Sequence, residues 1–321
     1  MYHYFLLNNR DHFAKRIMIV RPKKVWKMAV LGGISSHLKC RLIDEDDRDQ
    51  VVACLDRGFP RRGGDYWTQA FERMSSRQPV DDCPRYGCLL EASGTVVGVL
   101  LQLFSRYPTE EVETIRCNLS SWCVDPAYRS YAMKMAASAL KRKDVTYTTI
   151  SPAPRTWSAV EAMGFRRFCN GQFVFAPAVT SFHRKGAVFQ YSEDIPEAML
   201  LSPNERGMLS EHARLGCQSM ICTEDGQAFP FIFLKRRVMR GLAPCWQLIY
   251  CRSIDDLTRW AGSLGRYMLR AGVALCVADS NGPLPGLAGH YFPDCGPKYF
   301  KGPSPPALGD LSFTEFAVFG P

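Results

Sequence analysis

Hydrophobic positions change their period along the chain, and each change marks an element. RLIDEDDRDQVVACLDRGFP reads as a short strand and then a helix whose acidic opening suits a helix N-terminus, with Val51, Val52 and Leu55 on its apolar face. YWTQAFERMSS reads as a second short helix. GCLLEASGTVVGVLLQLFSR reads as a hairpin that turns at Ser93-Gly94, and TIRCNLSSWCVDP as the next strand. In YAMKMAASALKRKD the apolar stripe Ala132, Met135, Ala136, Ala139 and Leu140 has helical spacing, and Lys141, Arg142 and Lys143 suit the negative helix end. A β-branched strand follows (DVTYTTISP), then a short helix stopped at Gly164 (TWSAVEAMGF) and a strand pair in RRFCNGQFVFAP.

After a polar linker, much of this order returns. QSMICTEDGQAFPFIFLKRRV predicts a hairpin turning at Asp225-Gly226, PCWQLIYCRS a strand, SIDDLTRWAGSLGRYMLRAG a helix capped at Ser253, and VALCVADSNG a strand. The turn glycines Gly94 and Gly226 lie 132 residues apart, and the strand starts Val145 and Val273 lie 128 apart. Two landmarks at nearly one offset predict a duplicated α/β architecture. Lys298, Tyr299 and Lys301 are expected in a loop that leads into a last strand, LSFTEFAVFG.

Composition narrows this picture. The chain has 321 residues, 46% hydrophobic, which suits two domains with real cores. Its net charge of +9 favours an anionic partner, and much of the excess sits in an N-terminal arm at Lys15, Arg16, Arg21, Lys23, Lys24 and Lys27. That arm, residues 1–39, is set aside as a disordered extension, an exchanged arm or an early translation start. The 13 cysteines show no C-x-x-C pair or zinc spacing, so reduced thiols in a cytoplasmic protein without a bound metal are expected. No apolar run is long enough to span a bilayer. No histidine falls in a Ser-His-Asp motif, and no aromatic-basic pattern marks an RNA surface.

The densest chemistry is in SSWCVDPAYRSYAMKMAASAL, Ser120–Leu140. A strand ends at Pro126, Arg129 follows, and a helix is expected to begin at once. The free N–H groups of Ser130–Met133 and the positive helix end would suit a phosphate.

V-D-P-x-Y-R at Val124–Arg129 resembles the acyl-CoA loop of the GNAT acyltransferase superfamily, and AVEAMGF at Ala159–Phe165 resembles its second signature. The resemblance covers roughly residues 40 to 177; the second half resembles a GNAT unit by element order only. It implies an α/β fold of two GNAT-like units, each a mixed, mostly antiparallel sheet flanked by helices. The expected boundaries are 40–180 for the acyl-CoA-binding unit, 181–202 for the linker and 203–321 for a degenerate second unit. Trp122, Cys123, Val124, Arg129, Ser130, Tyr131, Ala132, Met133 and Lys134 would hold acyl-CoA, with a strand N–H near Trp122–Val124 polarising the thioester carbonyl. Candidate bases are Glu111 and Glu113, or a water held by Asn118, Ser120 or Ser121; Tyr147 and Ser151 could protonate the thiolate. The chain departs from the family pattern where Ala132 and Lys134 replace loop glycines and Val160 replaces the usual tyrosine acid. In the second half, YCRSIDDL places two aspartates where phosphate would sit.

These readings imply acyl transfer, with acetyl the expected group, from acyl-CoA to an amine or hydroxyl on a small molecule or peptide. The alternatives are an aminoacyl-tRNA-dependent transferase, for which the positive charge would serve tRNA, and a non-catalytic acyl-CoA-binding protein.

Overall fold

The computed structural model describes residues 38–108, 113–180, 186–238 and 243–320; most of the N-terminal arm and Glu111 lie outside them. The first half runs β1 (Leu38–Leu42), α1 (Arg48–Gly58), α2 (Tyr66–Ser76), β2 (Gly87–Ala92), β3 (Thr95–Pro108), β4 (Glu113–Val124), α3 (Ala132–Ala139), β5 (Val145–Thr149), α4 (Trp157–Ala162) and β6 (Arg166–Phe175). The second half runs β7 (Ala187–Gln190), α5 (Pro203–Arg214), β8 (Gln218–Glu224), β9 (Gln227–Val238), β10 (Ala243–Cys251), α6 (Ile254–Arg270), β11 (Leu275–Ser280), β12 (Gly289–Lys301) and α7 (Glu315–Phe319). The mixed α/β class inferred from the hydrophobic pattern is the one observed.

All strands join one twelve-stranded sheet in the order β1-β2-β3-β4-β5-β12-β6-β11-β10-β9-β8-β7. The order reads the same outward from its centre in both halves, so the duplication inferred from spacing exists in space. The centre is an exchange. β6 leaves the first half, pairing through Gly171–Phe175 with β11, while the end of β12 returns from the second half to pair with β5 at Tyr147–Thr149. Two glycines permit the crossing: a Cβ on Gly171 would lie 2.3 Å from the Phe292 carbonyl oxygen, and one on Gly289 would lie 2.4 Å from that of Val174.

The crossing corrects three expectations. RRFCNGQFVFAP is one long strand rather than a pair, because its hydrogen-bonding partners come from the other half. Lys298–Lys301 belong to β12 rather than to a loop, and Lys298 is fully buried against Asp279 at 2.6 Å. LSFTEFAVFG is a turn followed by the helix α7, which starts after Thr314 and buries Phe316, Ala317, Val318 and Phe319. The linker region also holds β7, an edge strand against β8.

In the first half α1, α2 and α7 cover one face of the sheet, closing a core around Leu55, Trp67, Phe71, Leu101 and Phe319. The other face carries α3 and α4 over Cys117, Met135, Tyr147 and Phe165. In the second half α6 packs Trp260 and Leu264 over Phe231 and Trp246. α5 lies on the opposite face with Phe316 and Ala317 of α7. The C-terminal segment therefore serves the cores of both halves.

Candidate functional site

The parallel pair β4–β5 holds register only over Ile115–Asn118 and Val145–Thr148. Beyond Asn118 β4 continues for six residues beside β3 alone, so its β5-facing edge opens into a cleft. A bulge reinforces the opening. One extra residue enters β4 between Ser120 and Cys123, and Ser121 takes a left-handed φ of 55°. Strand alternation sends Asn118 and Ser120 to the α1/α2/α7 face and Cys117 and Leu119 into the α3 core.

The C-terminal segment enters this opening on a row of anchors. Asp310 pairs with Arg116 at 2.5 Å, and Tyr107 donates its hydroxyl to the Ser312 carbonyl at 2.5 Å. The Phe313 N–H donates to His212 Nε2 at 3.0 Å, while His212 Nδ1 donates to the Met208 carbonyl at 2.8 Å. Burial pushes this neutral imidazole down to about 4. The Glu315 N–H donates to Asn118 Oδ1 at 2.8 Å, so a sheet side chain satisfies the first turn of α7. Between these anchors remains a cavity of ≈10 Å³, lined by residues such as Arg116, Asn118, Thr148 and Asp310, with room for about one water.

The anchors place the Glu315 carboxylate in the opening. Ser120 and Ser151 both donate to it, and the Ser121 hydroxyl lies 2.9 Å from that of Ser120. Because Ser120 spends its proton on Glu315, Ser121 is the donor in that contact. A hydroxyl chain thus runs from the bulge to the carboxylate. Burial raises the pKa of Glu315, and the two serines, Arg62 and Lys298 partly offset the rise.

Asn118, Ser120, Ser121 and Ser151, all singled out from sequence, thus gather around Glu315: Ser120 and Ser151 on its carboxylate, Asn118 on its backbone N–H and Ser121 on Ser120. Glu113 does not. It sits at the opposite end of β4, exposed and paired with Arg106 at 2.6 Å. Tyr147 is also elsewhere: strand alternation turns it into the α3 core, where its hydroxyl accepts the Arg142 N–H at 3.2 Å. Burial pushes that phenol up to about 12.

The residues proposed for acyl-CoA line the cleft and the turn beyond it. Trp122 and Val124 pack toward α3, while Cys123 faces Cys54 of α1. The turn corrects an expectation. A 3-10 helix, Pro126–Tyr131, precedes α3, and the Ala132 N–H already bonds the Arg129 carbonyl. The anticipated row of free N–H groups over Ser130–Met133 is thus largely consumed within the helices. Arg129, Ser130, Met133 and Lys134 are exposed, and Tyr131 and Ala132 half-buried. Arg129 makes no side-chain bond among the described residues. The Trp122 indole N–H is buried without a partner among the described residues. An open strand edge and an exposed guanidinium fit a polar ligand with a phosphate end.

Glu315 was missing from the sequence candidates because it was read as part of a strand. A signal existed: it is the one charged residue between Asp310 and Pro321, set in an apolar run. Among the described residues no helix is long and apolar enough to cross a membrane. No cluster of three or more His, Cys, Asp or Glu side chains among them could hold a metal.

No family model matches this sequence, and no curated protein does. Solved structures do match. A GCN5-related N-acetyltransferase from Anabaena variabilis aligns with TM-score 0.55 at 10% identity, over 82% of this chain and 72% of its own. A conserved protein of unknown function from Enterococcus faecalis aligns with TM-score 0.54 at 11% identity, over 86% and 74%. A GCN5-related N-acetyltransferase from Kribbella flavida aligns with TM-score 0.50 at 12% identity, over 82% and 70%.

Proposed function

The chain has a GNAT-superfamily fold; on that premise we propose that it transfers an acyl group from acyl-CoA to an amine. One observation carries the reading: a partly buried carboxylate, Glu315, held by two serines in the opening between the parallel strands β4 and β5. Cytoplasmic residence and a small-molecule or peptide acceptor belong to the same proposal.

Bound acyl-CoA would supply an activated carbonyl and a thiolate leaving group. The cleft edge at Ser121–Val124 receives its thioester end, and Arg129 pairs with its pyrophosphate by charge-assisted bonds. Glu315 takes the proton of the attacking amine, directly or through Ser120 and Ser121. In balance, the amine nitrogen bonds to the acyl carbon, the C–S bond breaks, and the sulfur leaves as thiolate to be protonated from solvent. The base must be ionised, so turnover rises with pH through the raised pKa of Glu315. Asn118 acts as a positioning residue, since it touches the backbone of Glu315 rather than the reacting atoms.

Calorimetric titration with coenzyme A tests the donor assignment. Wild type is expected to bind, and Arg129→Glu to weaken binding by about tenfold or more, as befits a lost charge-assisted contact. Equal affinity of the two proteins would refute it.

A further inference from the structure

The α1–α2 turn leads into α2, which packs against α7, and it carries a cation. Arg62 is half-buried, its guanidinium lying 4.3 Å over the ring of Tyr66. Packing ties that ring to the catalytic carboxylate. Tyr66 meets Trp67 edge-on at 4.9 Å, Trp67 meets Phe319 at 6.3 Å, and Phe319 belongs to the same short helix as Glu315. The Arg73 guanidinium, which donates to the Val318 carbonyl at 3.3 Å, holds α2 against that helix. Arg62 is close enough to Glu315 for its charge to be felt there, yet it makes no ion pair among the described residues, even with nearby Asp65. Beside it Gly63 and Gly64 face open space: a Cβ on either would meet nothing within 4 Å.

A guanidinium fixed on an aromatic face, with its donors unspent and the Glu315 carboxylate within electrostatic reach, is arranged for a bipolar ligand. The geometry points to an acceptor that is an amine bearing its own anionic group, a carboxylate or a phosphate, with the anion on Arg62 and the nitrogen at Glu315. This rests on the acyl-transfer reading above and narrows its substrate class. A neutral or polycationic amine would leave Arg62 unpaired or repelled.

The test uses matched probes on protein saturated with coenzyme A. Glycine is titrated against methylamine, and phosphoethanolamine against ethanolamine, into wild type, Arg62→Gln and Arg62→Lys. Wild type is expected to prefer at least one anionic member by about tenfold or more. Arg62→Gln should bring that ratio near one, and Arg62→Lys should retain part of it, with coenzyme A affinity unchanged in both. Equal binding within both pairs, binding of neither anionic amine, or a preference that survives in Arg62→Gln would overturn the proposal. Failure of wild type to bind coenzyme A would instead overturn the acyl-CoA reading, so the two failures are distinguishable.

Discussion

The two halves contain the same opening and treat it oppositely. In the second half β10 pairs in parallel with β11 only over Cys245–Gln247, then bulges at Ile249, as β4 does near Ser121. There the opening is filled by the chain itself. The Cys251 N–H donates to the Gly309 carbonyl at 2.9 Å, and the Leu311 N–H donates to the Ile249 carbonyl at 2.7 Å. The following helix opens with Asp255 and Asp256, and Ser253 caps it by accepting the Asp256 N–H at 3.1 Å. Backbone that closes one cleft continues four residues further to place Glu315 in the other. The repeated strand order thus becomes asymmetric through one segment, which fills the opening of the second half and places Glu315 in that of the first.

The strongest way to break this comparison is to remove the base. Glu315→Gln keeps the shape and a hydrogen-bonding group. It should lower kcat by roughly 10²- to 10⁴-fold, the usual weight of a general base, while coenzyme A affinity measured by calorimetry stays at the wild-type value. Acid should loosen the anchor next. His212 is fully buried and neutral, with a folded pKa of about 4 against 6.5 when free. Its contribution, about 3 kcal/mol, is therefore present above pH 6.5 and is lost as pH falls toward and through 4. Denaturant unfolding across that window should show the loss, and a His212→Gln variant should show a flatter profile. The smallest effect belongs to the closed half. Ser253→Ala should cost about 1 kcal/mol of stability, seen as a lower melting temperature, without changing coenzyme A affinity; a matching loss of affinity would mean that the second opening also binds ligand.

Much of the first opening was legible in residue order. Pro126 after an apolar strand, Arg129 behind it and an amphipathic helix next are local features, and Asn118, Ser121 and Ser151 could be named as polar side chains on or just beyond the two strands that flank the opening. Glu113 and Tyr147 show the limit of such reasoning. Both lie on the right strands, yet position along a strand and the face of its pleat separate them from the cleft. Glu315 stood out only as a lone charge in an apolar run, because its placement depends on contacts with Asn118, Ser120 and Ser151, which lie 197, 195 and 164 positions away in sequence.

The sequence by itself determined the periodicity of its elements, the repeat of strand and helix order, and the contrast between an arginine after one strand and two aspartates after its counterpart. These follow from neighbours within a few residues, where helical and strand spacing act directly. Only the tertiary structure decided that β6 and β12 change places and that one segment, Gly309–Glu315, fills one opening and places a carboxylate in the other. It also decided which carboxylate is buried beside the β4–β5 opening. Those outcomes depend on which distant backbone donors and acceptors pair, and on which charges lose water when they do.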